Sequence, residues 1–123
     1  MIYTKSKALL TLKPNTVWTW TGTDYSGLNW IDSSTKPTES EIDAEVTRLN
    51  NAEPMRLLRL ERDRRLTACD WIITMHKELG TNIPAAWKTY RQSLRDLPAS
   101  ASPSLNSNGD LDLTSVTWPT EPS

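Results

Sequence analysis

His76 is the only histidine among 123 residues, and Cys69 is the only cysteine. One imidazole excludes any metal site that needs two histidines and leaves a single candidate base. A helical position makes His76 a solvated or partner-bonded side chain before it makes it a base. Cys69 has no clear set of activating neighbours, so it reads as a small core side chain rather than a nucleophile. It also leaves no internal disulfide to form. The chain contains no G-x-S-x-G, phosphate-binding loop, C-x-x-C or H-E-x-x-H. These observations point away from an enzyme: no catalytic residue, cofactor, metal or small-molecule substrate is expected.

The run Arg56-Leu-Leu-Arg-Leu-Glu-Arg-Asp-Arg-Arg65 is the one stretch that could bind phosphate. Its acids temper that reading, because Arg59 with Asp63 and Glu61 with Arg65 stand at helical i,i+4 spacing. The formal charge of the whole chain is −1, so it lacks the global field usual for nucleic-acid binders. The charge is unevenly spread. Residues 1–53 carry five Lys and Arg against seven Asp and Glu, residues 54–97 nine against five, and residues 98–123 none against three. A basic middle between acidic flanks can be balanced within the molecule or by a neighbouring copy. Nucleic-acid binding or regulation through the face of residues 56–65 is therefore the second reading, behind protein binding.

The elements that would position these residues fall into three regions, 1–36, 37–97 and 98–123. Six Trp and no Phe favour partly wet contacts as well as cores, since each indole carries one N–H that needs a partner. In the first region, residues 15–21 alternate to place Trp18 and Trp20 on one face, and residues 28–32 do the same for Leu28 and Trp30. Gly22, Asp24 and Gly27 supply the turn of a hairpin between them. Residues 8–12 offer a third strand. The opening segment is too short in apolar residues for a secretory leader or a membrane span, so a soluble cytosolic protein is expected.

Thr38 and Glu41 form a capping box, followed by Ile42, Val46 and Leu49 at helical spacing. Pro54 either kinks one helix or opens the next. From Met55 to Leu79 the chain reads as one helix, with Leu57, Leu60, Ala68, Trp71, Met75 and Leu79 as its stripe and Leu58, Leu66, Cys69, Ile72 and Ile73 widening it. Gly80 stops this helix and Pro84 opens another, on which Trp87, Tyr90, Leu94 and Leu97 share a face. An antiparallel helical hairpin over about residues 55–97 is predicted. Beyond Leu97 the Pro-, Ser- and Asn-rich segment reads as an extended linker ending in Val116, Trp118 and Pro119. The fold class is α+β.

Four groups of residues in the second half carry a resemblance. They are Arg62-Asp63-Arg-Arg-Leu66, then Asp70-Trp71, then Trp87-Lys-Thr-Tyr90-Arg91-Gln-Ser-Leu94-Arg95-Asp96-Leu-Pro98, and last Trp118-Pro119. In that order they resemble the phage tail assembly chaperone family, which reads R-D-x-x-L, D-W, W-x-x-Y-R-Q-x-L-R-D-[LIV]-P and a late W-P. The match spans about residues 55–122. Gly22-x-Asp24-Tyr25 and Pro37-Thr38-x-x-Glu41-Ile42 also look like leaders attached to this module. The resemblance implies a role in tail or tail-fibre assembly, transient or retained in the virion tail. Its partners would be tail or tail-fibre proteins, or copies of itself, met in the host cytoplasm. On that basis Asp70 is expected to hold Arg91 or Arg95 of the facing helix, with Trp71, Trp87 and Tyr90 as an aromatic seam. Trp18, Trp20, Trp30, Val116, Trp118 and Pro119 are the candidate partner-binding residues.

Overall fold

The computed structural model describes residues 3–123. Among the described residues four helices, α1 (Lys5–Leu12), α2 (Glu39–Ala68), α3 (Asp70–Leu79) and α4 (Ala85–Ser100), accompany a two-stranded antiparallel sheet of β1 (Trp18–Trp20) and β2 (Leu28–Trp30). This is an α+β fold. The chain packs as two compact units, Met1–Glu53 and Pro54–Ser123.

In the first unit the segment read as a third strand is the helix α1. Ala8 and Leu9 are both fully buried. Consecutive strand residues point to opposite faces, whereas consecutive helix residues can share one. Thr4 opens α1 by accepting from the Lys7 N–H at 3.2 Å. The hairpin is shorter than its alternation suggests, three residues a side, with Trp18 opposite Trp30 and Trp20 opposite Leu28. Gly27 is required at its turn, because a Cβ there would meet the Thr21 carbonyl oxygen at 1.8 Å. A hairpin this small needs a surface to lie on. Trp18, Trp20 and Trp30 pack against Ala8, Leu9, Leu28, Ile42 and Val46, the core supplied by α1, β2 and the start of α2.

The N-terminus of α2 is the expected capping box: the Glu41 N–H reaches the Thr38 hydroxyl at 3.2 Å and the Thr38 N–H reaches the Glu41 carboxylate at 3.4 Å. Glu45, one turn on, is buried. It accepts from Arg48 Nε and Nη2 at 2.6 and 2.8 Å and from the Thr11 hydroxyl at 2.7 Å. These bonds, Arg48 first, hold its carboxyl at about 2 against an ordinary 4.5. Pro54 lies inside α2, which runs through it as one helix with one backbone donor fewer.

The second unit departs from its sequence reading at Cys69. The helix expected to run unbroken from Met55 to Leu79 ends at Ala68 and restarts at Asp70. Gly80, at φ 69°, closes α3 in the left-handed conformation. α4 passes through Pro98 to Ser100 instead of stopping at Leu97. A proline in the last turn forfeits only the bond to the Leu94 carbonyl, and the Ala101 N–H still closes the helix on Leu97 at 3.0 Å. The buried cluster is Cys69, Ile72, Tyr90 and Leu94, with Leu66, Trp87 and Trp118 against it.

The Ser- and Asn-rich tail is folded rather than a linker. Leu105 and Leu111 form a bridge around a turn in which the Asn106 side chain accepts from the N–H groups of Asn108 and Asp110 at 2.9 and 3.1 Å. Asp112 then caps a 3₁₀ turn over Leu113–Ser115, bonding the Thr114 N–H at 3.0 Å. Short polar side chains give this backbone partners that regular structure would otherwise supply.

Candidate functional site

The break at Cys69 organises the second unit. Around it the backbone tightens to i→i+3 bonds, Cys69 N–H to Leu66 at 3.2 Å and Ile72 N–H to Cys69 at 3.2 Å. Arg91 of α4 spans the break. Its Nη1 donates to the Leu66 carbonyl at 2.9 Å and to Cys69 Sγ at 2.9 Å, and its Nη2 donates to Asp70 Oδ1 at 2.9 Å. Burial works against the Arg91 charge, and the bonds to Cys69 and Asp70 outweigh it. Arg91 is therefore the partner of Asp70. Arg95 lies elsewhere, with Nε and Nη2 on the Gln92 side-chain oxygen at 3.2 and 2.8 Å.

The other motif residues gather around the same contact between α2, α3 and α4. Arg62 donates to the Arg95 carbonyl at 3.3 Å and holds Asp63 at 2.8 Å, so Asp63 pairs with Arg62 and not with Arg59. Asp96 accepts from Gln92 at 2.9 Å. Leu66 and Leu94 sit in the buried cluster. Trp87 meets Tyr90 edge to face at 5.8 Å, and burial, first, with Glu121 second, pushes the Tyr90 phenol up.

Trp71 does not join that seam. It is 62% exposed, while its neighbour Ile72 is buried. The stripe chosen from periodicity is the wrong one: Leu60 and Leu79 are 55% and 67% exposed, Ala68 is exposed, and only Leu57 and Met75 are half-buried. The residues that seemed merely to widen it, Leu58, Leu66, Cys69 and Ile72, face inward. What periodicity marked as core is thus largely exposed, Leu60 and Ala68 on α2 before the break and Trp71 and Leu79 on α3 after it. Its period was visible in the sequence, but its direction was not.

The basic run on the same helices is largely tied down. Glu61 binds Arg64 Nη2 at 2.6 Å and Arg65 Nε at 3.1 Å, and the Arg64 bond in particular keeps its carboxyl below the usual range. The Arg65 guanidinium also covers the Trp118 ring at 4.1 Å, while Trp118 Nε1 donates to the Leu113 carbonyl at 3.1 Å. Val116 is buried and Pro119 half-buried beside it. The terminal Trp therefore docks within its own unit. Trp20 and Trp30 likewise spend their N–H groups internally, on the Asp24 and Ser34 carbonyls at 3.0 and 2.7 Å.

The Cys69 thiol donates to the Leu66 carbonyl at 3.3 Å, and His76 Nδ1 bonds the Thr81 hydroxyl at 2.7 Å across the end of α3. Among the described residues no group of three or more His, Cys, Asp and Glu converges where a metal ion could sit. No helix among them is long and apolar enough to cross a membrane.

No curated protein and no solved structure matches the chain. The family model described as phage tail assembly chaperone protein matches residues 55–123, taking in the Cys69 break, the Arg91 contacts and the docked tail. With more than half its length in that match, the chain belongs to the phage tail assembly chaperone family.

Proposed function

We propose that this chain serves phage tail or tail-fibre assembly as a non-catalytic binding protein, in the host cytoplasm, through the outward face of α2 and α3. The observation that carries the reading is the exposure of Trp71 within the family-matched unit. A Trp that the fold leaves in water, with Met75 and Leu79 four and eight residues on along α3, is an apolar surface that a partner would cover. Cys69 is engaged by the Leu66 carbonyl and Arg91, and His76 by Thr81, which supports binding over catalysis. The pairing of Arg64 and Arg65 with Glu61, and of Arg62 with Asp63, ties up part of the basic run that phosphate would otherwise meet.

The test is a phage whose own copy carries Trp71→Ala. Folded protein should accumulate as in wild type, while tailed particles and plaque titre fall. Tails formed in normal number would overturn the reading. Mass spectrometry of purified particles then separates a protein retained in the tail from one released after assembly.

A further inference from the structure

We propose that the cleft between α3 and α4 is a second interaction surface, which takes an acidic segment of a partner protein, an apolar side chain flanked by carboxylates. It stands apart from the Trp71 surface. Trp71 and Ile73 are two residues apart on α3 and so point to opposite sides of that helix.

The cleft has a volume of about 560 Å³ and is lined by Ile73 of α3 and by Lys88, Thr89, Arg91, Gln92 and Arg95 of α4. Its lining holds cations and no carboxylate. Arg91 is already committed to Leu66, Cys69 and Asp70. The Lys88 ammonium has no hydrogen bond or ion pair among the described residues. Arg95 meets only the neutral Gln92 oxygen, through Nε and Nη2, and its Nη1 bonds nothing among them. Gln92 is itself engaged at both ends, by Arg95 and by Asp96. Lys88 Nζ and Arg95 Nη1 can only donate, and the Thr89 hydroxyl beside them has a donor to give. A cleft that offers donors and two unbalanced positive charges is built for an anion.

The shape of the lining selects among anions. Lys88 and Arg95 are seven residues apart on the unbroken helix α4, about 10 Å along its axis. About three residues of extended peptide cover that distance. Ile73, half-buried, gives the cleft an apolar wall, which a small inorganic ion would leave unused. A peptide with an apolar residue between two carboxylates answers both features. The phosphates of a nucleic-acid backbone bring nothing apolar to Ile73. A polyanion running past the cleft also meets Asp70, 58% exposed beside Arg91, and the exposed Asp96 beside Arg95. Charge complementarity therefore favours a short acidic segment that ends within the cleft.

Titration of the isotope-labelled full chain with the blocked peptide Gly-Asp-Leu-Leu-Asp-Gly, followed by NMR up to millimolar peptide, tests this. The amide signals of Ile73, Lys88, Thr89 and Arg95 should move together and saturate, with weaker binding at high salt. The counterpart with Asn in place of both Asp should leave them still. Lys88→Glu and Arg95→Glu should each weaken binding about tenfold or more while melting as the wild type does. Lys7→Glu, an equal charge change on an exposed residue of α1, and Trp71→Ala should both bind the peptide as the wild type does. A peptide that moves no cleft signal overturns the proposal, as does equal binding of the Asn peptide or equal loss in Lys7→Glu. Lost binding in Trp71→Ala would place the peptide on the other surface and overturn it too. A single-stranded oligonucleotide that occupies the cleft more tightly than the peptide would replace the protein partner with a nucleic acid.

Discussion

The placement of the core in the second unit can be tested by two truncations whose order it reverses. Leu94 has no exposure at all and packs among Cys69, Ile72 and Tyr90. Leu94→Ala removes about three carbon groups at about 0.8 kcal/mol each, and a residual cavity adds to that, for about 2–5 kcal/mol in total. Trp71 is the larger side chain but is 62% exposed. A Trp buries about 200 Å² when fully covered, so the covered part of Trp71 is worth about 2 kcal/mol at most. Alanine's better helix propensity returns a few tenths. Trp71→Ala should therefore cost about 1–2 kcal/mol. Were Trp71 the centre of an interhelical seam, it would cost about 3–5 kcal/mol and equal or exceed the leucine. Urea denaturation with a common slope gives both values. The experiment belongs at low protein concentration, where association adds little to apparent stability. If Trp71→Ala destabilises as much as Leu94→Ala in dilute solution, the assignment of inward and outward faces is wrong.

Three further outcomes follow from the bonding. Glu45 is depressed to about 2 in the fold from an ordinary 4.5, so its contribution, about 3 kcal/mol by linkage, is present above pH 4.5 and lost as pH falls toward 2; Glu45→Gln should flatten that part of the pH–stability curve, and an unchanged slope would dismiss the buried carboxylate. Arg91→Ala strips donors from the Leu66 carbonyl, Cys69 and Asp70 together and should cost about 2–3 kcal/mol, against about 0.5–1 for Asp70→Asn, whose side chain is 58% exposed; a double-mutant cycle should couple Asp70 to Arg91 and not to Arg95. Removal of residues 101–123 takes away buried Val116 and the Trp118–Arg65 contact and should lower the melting temperature of the isolated protein well beyond scatter, whereas an unaltered melt would mean that the tail does not dock within its own unit.

Much of the fold was legible where a local rule has one solution. The Thr38–Glu41 capping box, the Gly80 stop and the pairing of Trp18 and Trp20 on one hairpin face need only neighbouring residues to be understood. What escaped the sequence depended on partners far along the chain. Residues 8–12 fit a short strand or a helix equally well, and only a core that takes Ala8 and Leu9 together decides. The Asn- and Ser-rich tail has the composition of a linker because its order comes from side-chain-to-backbone bonds and one docked Trp, which apolar content does not register. At the candidate site, the residue types and their period were plain, and the direction of the face was lost in a one-residue interruption at Cys69.

That interruption gives the motif residues a common purpose. Had the helix continued, the Leu66 carbonyl would take its bond from the Asp70 N–H and Cys69 would be an ordinary interior residue. Instead the guanidinium of Arg91 donates to the Leu66 carbonyl at 2.9 Å, alongside the Cys69 N–H at 3.2 Å, and to Asp70, the first residue of α3, at 2.9 Å. One planar group thus bonds the end of one helix and the start of the next, a geometry suited to a rigid fork whose two nitrogens face different acceptors. Tyr90 and Leu94, beside Arg91 on α4, bury Ile72, and the residue before it is left facing out. The Asp-Trp pair, the Tyr-Arg of α4 and the distant Leu66 are therefore one device. They set the rotation of α3, and with it the exposure of Trp71, on which the proposed binding surface depends.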